Sequence, residues 1–453
     1  MNTSIIILAA GQGKRMNSAL PKVLQPLAGR PLLSHVLACS RDVGGDDICV
    51  VYGHGGDEVR AAFAGENIRW ALQAEQNGTG HAVQQAMPET PDSNRVLILF
   101  GDVPLLTAGT IRHLLASCGE NEVGVLTVDL PDPFGYGRIV RENGVVVKNV
   151  EERDASEAEK SVTEINTGVL CCSAALLKGW LGQLKTNNSQ GEYYLTDVLG
   201  MAVRDGYVVQ GIKAASQVEV MGINDKRQLA QAERALQRRL VDKLLESGVT
   251  FADPARVDIR GELHCGKDVF IDVNAVFEGS VTLGNNVRIA PNNLIRDSRV
   301  GDGTVVRANC HLEGASTGSG CVIGPFARLR PGAELANDVR VGNFVEIKKS
   351  TIADGSKVNH LTYIGDSTVG TGVNIGAGTI TCNYDGANKH RTIIGDHAFI
   401  GSGVELVAPV EIGKGATIGA GSTITRPAPD GQLTLERAKQ VTVAGWKAPT
   451  KNK

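Results

Sequence analysis

Aromatic residues are scarce in this chain, only 4% of its 453 residues, and no apolar run approaches the length that spans a membrane. Nine cysteines are present, Cys39, Cys49, Cys118, Cys171, Cys172, Cys265, Cys310, Cys321 and Cys382, but none form a CxxC pair or show the Cys/His spacing of a zinc site. An odd number cannot all pair, which points to a reducing compartment. Net charge is nearly absent: 46 Lys+Arg against 49 Asp+Glu leaves −3. No global basic field therefore draws in a nucleic-acid backbone or an anionic membrane, and an anionic ligand must be held locally. The apolar run Ile5–Ala10 near the start has no basic residue before it and leads straight into Gly11, unlike the longer core of a signal peptide. The expectation is a cytoplasmic protein.

Glycine is plentiful, with 55 residues, and 42% of the chain is hydrophobic, as in folded protein. At roughly 150 residues per domain the length predicts two or three domains. From residue 1 to about 226, short apolar runs such as Ile5–Leu8, Ile48–Tyr52, Val96–Phe100, Val123–Val128, Val145–Val150 and Thr167–Cys171 alternate with segments of helical character. That alternation predicts an α/β layer fold with a mainly parallel sheet, residues 1–226. Leu229, Ala232, Leu236, Leu240 and Leu244 then recur every three or four residues, an amphipathic connecting helix over 227–247 stopped by Gly248.

Residues 248–453 obey a period of six. Ile271, Phe277, Leu283, Ile289 and Ile295 form one run; Ile323, Leu329, Leu335, Val341 and Ile347 a second; Ile394, Ile400, Leu406, Ile412, Ile418 and Ile424 a third. Small residues commonly follow the aliphatic one, as in Ile323-Gly324 and Ile400-Gly401. Six is not a helical period. It is that of the hexapeptide repeat of a parallel β-helix, in which each hexad sends one aliphatic side chain inward and turns a glycine-tolerant corner. The rhythm breaks at Cys382–Arg391, a polar run containing Tyr384, which predicts a projecting loop. It is expected to end at Arg426-Pro427, before a basic tail with Arg437, Lys439, Trp446, Lys447, Lys451 and Lys453.

Chemistry-bearing residues gather after strands. The turn Ala9-Ala10-Gly11-Gln12-Gly13-Lys14-Arg15-Met16 leaves the first strand and precedes Pro21-Lys22. Met16 stands where a dinucleotide fingerprint has its third glycine, and no Gly-Lys-Ser/Thr follows as in a Walker loop. A strand, a glycine turn and two cations, Arg15 and Lys22, remain, suited to a nucleoside triphosphate and equally to a plain turn. Phe100-Gly101-Asp102 follows the strand 96–99, where α/β sheets bind ligands, so Asp102 is a candidate Mg²⁺ ligand or a simple turn residue. Gln73–His81 is a second turn rich in amides, useful for reading a pyrimidine edge. In the second half, His360 is the best candidate base, near Arg328, Arg330, Lys348 and Lys349 by repeat counting, which predicts a basic wall. The imidazoles of His311, His360, His390 and His397 do not align at a coil spacing of about 18 residues, which disfavours a zinc site.

The strings Leu8-Ala9-Ala10-Gly11-x-Gly13-x-Arg15-Met16, Gln76-x-Gly78-Thr79-Gly80-His81-Ala82 and Gly101-Asp102-Val103-Pro104 resemble those of sugar-phosphate nucleotidyltransferases. Joined to His360-Leu361-Thr362-Tyr363 and Asn374-Ile375-Gly376-Ala377-Gly378-Thr379, they make nearly the whole chain similar to one bacterial bifunctional family. That family unites a UDP-N-acetylglucosamine pyrophosphorylase with a glucosamine-1-phosphate N-acetyltransferase. The resemblance implies an α/β Rossmann-like nucleotidyltransferase domain, a linker helix and a left-handed parallel β-helix. It implies acetylation of glucosamine 1-phosphate from acetyl-CoA, then Mg²⁺-dependent uridylyl transfer from UTP, in a homotrimer serving cell-envelope precursor synthesis.

By the same resemblance Leu8, Ala9, Ala10, Gly11, Lys22, Gln73, Gly78, Thr79, Gly137, Glu151 and Asn166 would contact nucleotide and sugar, with Phe100 and Gly101 beside them. Asp102 and Asn224 would hold Mg²⁺. Phe100 replaces the family's more usual tyrosine and lacks its hydroxyl. His360 would accept the proton; Arg330, Lys348, Tyr363, Asn374 and Lys389 would hold the acceptor; Ala377, Asn383, Tyr384, Ser402, Ala420 and Arg437 would hold acetyl-CoA. Two other readings stay open at this level: a single-activity nucleotidyltransferase with a structural solenoid, and an assembly scaffold. The first leaves the His360 segment and the 382–391 loop without a role, and the second leaves Lys22 and Asp102 unexplained.

Overall fold

The computed structural model describes residues 2–451 and divides into two compact units, Met1–Leu236 and Gln237–Lys453. Lys453 lies outside the described residues.

The first unit is built on a nine-stranded sheet. Its strands are β1 (Thr3–Leu8), β2 (Asp47–Tyr52), β3 (Arg69–Leu72), β4 (Arg95–Phe100), β5 (Glu122–Asp129), β6 (Arg138–Glu142), β7 (Val145–Val150), β8 (Glu164–Ser173) and β9 (Val208–Lys213). The main path runs β9-β5-β8-β4-β1-β2-β3, with the β6–β7 hairpin attached to β8. Period-two alternation in β1 places Ile5 and Ile7 in one core and Ile6 and Leu8 in the other, so both faces of the sheet are covered. The sheet is mixed rather than mainly parallel. β8 runs antiparallel to β4, β5 and β6, and β6 to β7, whereas β1, β2, β3 and β4 are parallel neighbours and β9 pairs parallel with β5. Apolar runs report burial, and they carry no record of strand direction.

Helix α1 (Thr79–Ala86) follows the amide-rich turn, and α2 (Lys226–Glu246) is the amphipathic helix. The boundary between units falls inside α2 rather than at its ends. In its first half Glu233 accepts the Ala28 amide at 2.7 Å. In its second half Val241 belongs to the solenoid core, with Leu240 and Leu244 packed against it. Gln237 is buried there because its side-chain amide pairs with the Ile259 backbone in both directions, at 2.7 and 2.8 Å, as a neighbouring strand would.

The second unit is a left-handed parallel β-helix. One 11-stranded sheet stacks Phe251, Ile271, Ile289, Val306, Ile323, Val341, Val358, Ile375, Ile400 and Ile418 in register. A 17-stranded sheet supplies the other walls, including the column Ile259, Phe277, Ile295, Leu312, Leu329, Ile347 and Ile364. These side chains form one continuous core. The coil does not end at Arg426-Pro427: Ala428 bridges to Ile412, and Leu433–Thr434 pairs with Thr417–Ile418. Pro427 removes one donor, but the chain resumes the ladder beyond it. The tail from Leu435 to Lys451 is exposed. None of the nine cysteines is joined in a disulfide, and no helix among the described residues is long and apolar enough to cross a membrane.

Ile347 is fully buried between Leu329 and Ile364. Ile347→Ala is expected to cost the β-helix about 2–5 kcal/mol, read as a lower urea midpoint for its unfolding transition.

Candidate active sites

In the first unit, three adjoining hollows line the carboxyl ends of β1 and β4. The middle one, about 270 Å³, is lined by Leu8, Ala9, Ala10, Gly11, Lys22, Gln73, Gly78, Thr79, Phe100 and Asp102, among others. It shares Lys22 and Gln76 with a cationic hollow that contains Gly13, Lys14, Arg15 and Asn224. It shares Thr79, Phe100 and Glu192 with a third, lined by Gly137, Glu151, Asn166 and Tyr194. Gly101 does not line the trough; it is buried behind it, its amide donating to Leu8 O at 2.9 Å.

Close backbone approach shapes these walls. A Cβ on Gly78 would lie 2.7 Å from Tyr193 O, and the 77–80 turn is stitched to the 193–195 segment by Gly80 N–H to Tyr193 O and Tyr193 N–H to Asn77 O, both 2.8 Å. Gly168, at φ +85°, faces the Phe100 ring, which a Cβ there would meet at 2.5 Å. Gly11 has nothing within 4 Å of its would-be Cβ and opens onto the hollow.

The Lys22 ammonium gathers two oxygens. It donates to Asp102 Oδ2 and, at 3.2 Å, to Asn224 Oδ1. Ile223 N–H donates to Asp102 O at 2.9 Å, which brings the segment before α2 against the loop after β4. A carboxylate and an amide oxygen converging on one cationic point are the hard donor pair a magnesium ion takes, so these residues fit it. At the opposite end Glu151 Oε1 accepts from Thr196 Oγ1 at 2.9 Å and Asn149 Nδ2 at 3.1 Å. Burial, then the Glu151 and Asp154 carboxylates, push nearby Asp197 above the ordinary carboxylate range.

In the second unit, His360 Nδ1 lies 2.9 Å from Asn343 Oδ1, one coil below. An amide oxygen only accepts, so Nδ1 donates to it, which in the neutral ring puts the lone pair on Nε2. A hollow beside it is lined by Arg307, Arg340, Asn343 and Asn359. His360 and Asn374 belong to the 11-stranded sheet, whereas Arg330, Lys348 and Tyr363 follow or lie within strands of the 17-stranded one. Lys389, on the loop, comes up to Lys348. Its ammonium first, then burial, then Arg330, hold the Lys348 amine below its ordinary range, while Asp366 opposes them. The wall is less basic than repeat counting predicts, because Glu346 pairs with Arg330 at 2.8 Å and Arg328 at 3.7 Å.

The loop itself is pinned. Asp385 accepts from Ala387 and Asn388 amides and His390 Nε2 at 2.6–2.8 Å, and Tyr384, bridged to Lys389 across the loop, is exposed. Asn383 at its root is buried and donates to Asp366 at 2.5 Å. Ala377, Ser402 and Ala420 stand on successive coils: Gly403 N–H donates to Ala377 O and Gly421 N–H to Ser402 O. Arg437 Cδ lies 3.9 Å from the would-be Cβ of Gly421, at the head of that column.

Sequence reasoning passed over Glu192, Tyr194 and Thr196, which line the trough. The signal available was Tyr193-Tyr194, an aromatic pair in a chain nearly without aromatics.

Residues 5–156 match the model of the MobA-like NTP transferase domain family, and residues 391–426 that of the bacterial transferase hexapeptide, six repeats. The chain is 56% identical over 450 residues to the bifunctional protein GlmU of Azoarcus sp. (strain BH72), covering 99% of this chain and 100% of that one. It is likewise 56% identical over 450 residues to that of Janthinobacterium sp. (strain Marseille), with the same coverage. Against that of Marinobacter nauticus it is 52% identical over 448 residues, 99% of each chain.

Gly168→Ala is expected to destabilise the first unit by about 1–3 kcal/mol, since it adds strain at positive φ and displaces Phe100. Gly11→Ala should stay within about 1 kcal/mol of the unaltered protein. Urea midpoints of the two variants check this contrast.

Proposed function

This chain belongs to the bifunctional GlmU family, and we propose that its uridyltransferase and acetyltransferase reactions run at two separate sites, one in each unit. The observation that carries this is the pairing of Lys22, Asp102 and Asn224 in one unit with the His360–Asn343 contact in the other.

For uridylyl transfer the substrates are UTP and N-acetylglucosamine 1-phosphate. The order of the three hollows supports the assignment. Lys14, Arg15 and Lys22 line the end suited to the β- and γ-phosphates, Gln73 and Gly78 the base, and Gly137, Glu151 and Asn166 the sugar. Glu151 is held through one oxygen by Thr196 and Asn149, leaving the other for a sugar hydroxyl. A phosphate oxygen of the sugar phosphate attacks the α-phosphorus in line and pyrophosphate leaves, so no protein nucleophile is needed. Lys22, fixed between two oxygens, and the loop amides place positive charge where it develops on the phosphoryl group. Asp102 and Asn224 would hold Mg²⁺ once their oxygens turn from Lys22 to the ion, and the bound ion would add to the neutralisation of the triphosphate.

For acetyl transfer the substrates are glucosamine 1-phosphate and acetyl-CoA. His360 Nε2 takes a proton from the sugar ammonium; the amine nitrogen then bonds to the thioester carbonyl carbon as the carbon–sulfur bond breaks, and the second proton shed by nitrogen goes to the departing sulfur, which leaves as the thiol. Arg330, Lys348, Tyr363, Asn374 and Lys389 hold the acceptor phosphate, and the Lys348–Lys389 pair supports this, because two neighbouring ammoniums are stabilised by an anion between them. Asn383, Tyr384, Arg437 and the column Ala377, Ser402, Ala420 receive acetyl-CoA. The enzyme works as a cytoplasmic homotrimer and feeds cell-envelope precursor synthesis.

His360→Ala is expected to abolish acetyl transfer and spare pyrophosphate release from UTP, and Asp102→Ala to do the reverse. Assays with single omissions of acetyl-CoA, UTP and Mg²⁺ separate the two. Loss of both activities in either folded variant would refute the two-site arrangement.

A further inference from the structure

The nucleotide hollow contains an amide whose orientation is fixed more tightly than packing alone requires. Gln73 is only 4% exposed, and its backbone amide donates to Tyr52 O at 2.8 Å, carrying the side chain from the end of β3 into the hollow. Its Nε2 donates to Gly78 O at 3.0 Å. A carbonyl oxygen only accepts, so the nitrogen is assigned to that side without ambiguity. The second amide hydrogen points to His81 Nδ1, 3.2 Å away. Both hydrogens are thereby taken. Oε1 has no partner among the described residues and is not sealed from solvent, although the residue as a whole is buried. His81 sits in the first turn of α1, with its ring tilted at 31° against Tyr193 and a centroid separation of 6.4 Å, which limits its rotation.

On the uridylyl-transfer reading above, we infer that His81 is a positioning residue for base selectivity: it holds the Gln73 amide so that the acceptor Oε1 faces the incoming pyrimidine. Uracil presents an imino N3–H at its pairing edge, which Oε1 accepts. Cytosine presents a bare N3 at the same place, so two lone pairs oppose each other and a buried acceptor is left unpaired. Inverting the amide would relieve cytosine, but it would set Oε1 against Gly78 O and against the His81 Nδ1 lone pair. The device requires the imidazole to be neutral with its proton on Nε2. His81 acts through Gln73 and takes no part in bond making.

The test is the ratio of kcat/KM for UTP to that for CTP, measured on the full chain with N-acetylglucosamine 1-phosphate and Mg²⁺. His81→Leu should lower this ratio at least tenfold, and His81→Asn, which returns an amide oxygen near the Nδ1 position, should keep most of it. Gln73→Ala should also lower the ratio, and adding His81→Leu to it should change the ratio no further. A parallel fall in both nucleotides with the ratio intact would overturn the proposal, as would equal loss in His81→Asn and His81→Leu. If His81→Leu did not fold, ¹⁵N shifts of the histidine rings with UTP bound would decide: a bare Nδ1 supports the proposal, and a protonated Nδ1 overturns it. Absence of UTP turnover in the unaltered protein would instead strike the uridylyl reading itself.

Discussion

Backbone must approach backbone closely in both halves of this protein, and most other features follow from that need. In the first unit the 77–80 turn lies against the chain at Tyr193, and Gly168 lies against the Phe100 ring. In the second, coils stack so tightly that a Cβ on Gly342 would fall 1.8 Å from Asn359 O. Only glycine admits such contacts, which accounts for its abundance. A narrow prism filled by one aliphatic layer per face has little room for rings, which accounts for the shortage of aromatics. Phe326 and Phe344, stacked with centroids 5.3 Å apart, accordingly lie outside the prism, at exposed corners.

Where the backbone is drawn in, polar side chains are left with few choices, and this gives the sites their order. Gln73 is oriented by the Gly78 carbonyl, which can only accept, and so turns its amide oxygen outward; Glu151 is held through one carboxylate oxygen by Thr196 and Asn149, and Asn343 meets the His360 ring. The fixed partners come from distant segments. Asp102 and Asn224 meet because Ile223 pairs with the Asp102 carbonyl, and Glu151 is set by Thr196 across the cleft. Charge balance is local too. Glu346 neutralises part of the arginine wall, and the neighbouring Lys389 ammonium holds the Lys348 amine below its ordinary range.

The parts of this arrangement readable from the amino acids were those written in local periodicity. Ile271 to Ile295 and Ile394 to Ile424 repeat every sixth position because each coil face needs one inward side chain, and β1 declares itself by a buried run ending in a glycine turn. The parts that were not readable depend on partners far along the chain. Nothing near Glu164–Ser173 says that this strand runs against its neighbours, and nothing near Glu346 says that it takes two arginines from the coil beneath. Leu433–Thr434 rejoins the ladder after a proline that looks like a stop, because the requirement is register with Thr417–Ile418 rather than continuity of sequence rhythm. Glu192 and Tyr194 belong to a segment without period, placed by its stitching to the 77–80 turn.

The two sites differ in how a single chain can enclose a ligand. The first is a trough between sheet and loops, with walls from the turns after β1, β3 and β4 and from the 190–196 segment. The second is spread over the outside of a prism. His360 and Asn374 belong to one sheet, Arg330, Lys348 and Tyr363 to the other, and Ala377, Ser402 and Ala420 climb through successive coils. A convex surface alone does not surround a sugar phosphate and a thioester or keep water from the reacting carbon, so on the reading proposed above the imidazole and the two ammoniums would need a facing wall. The proposed trimer would supply it, by laying a second prism beside the first.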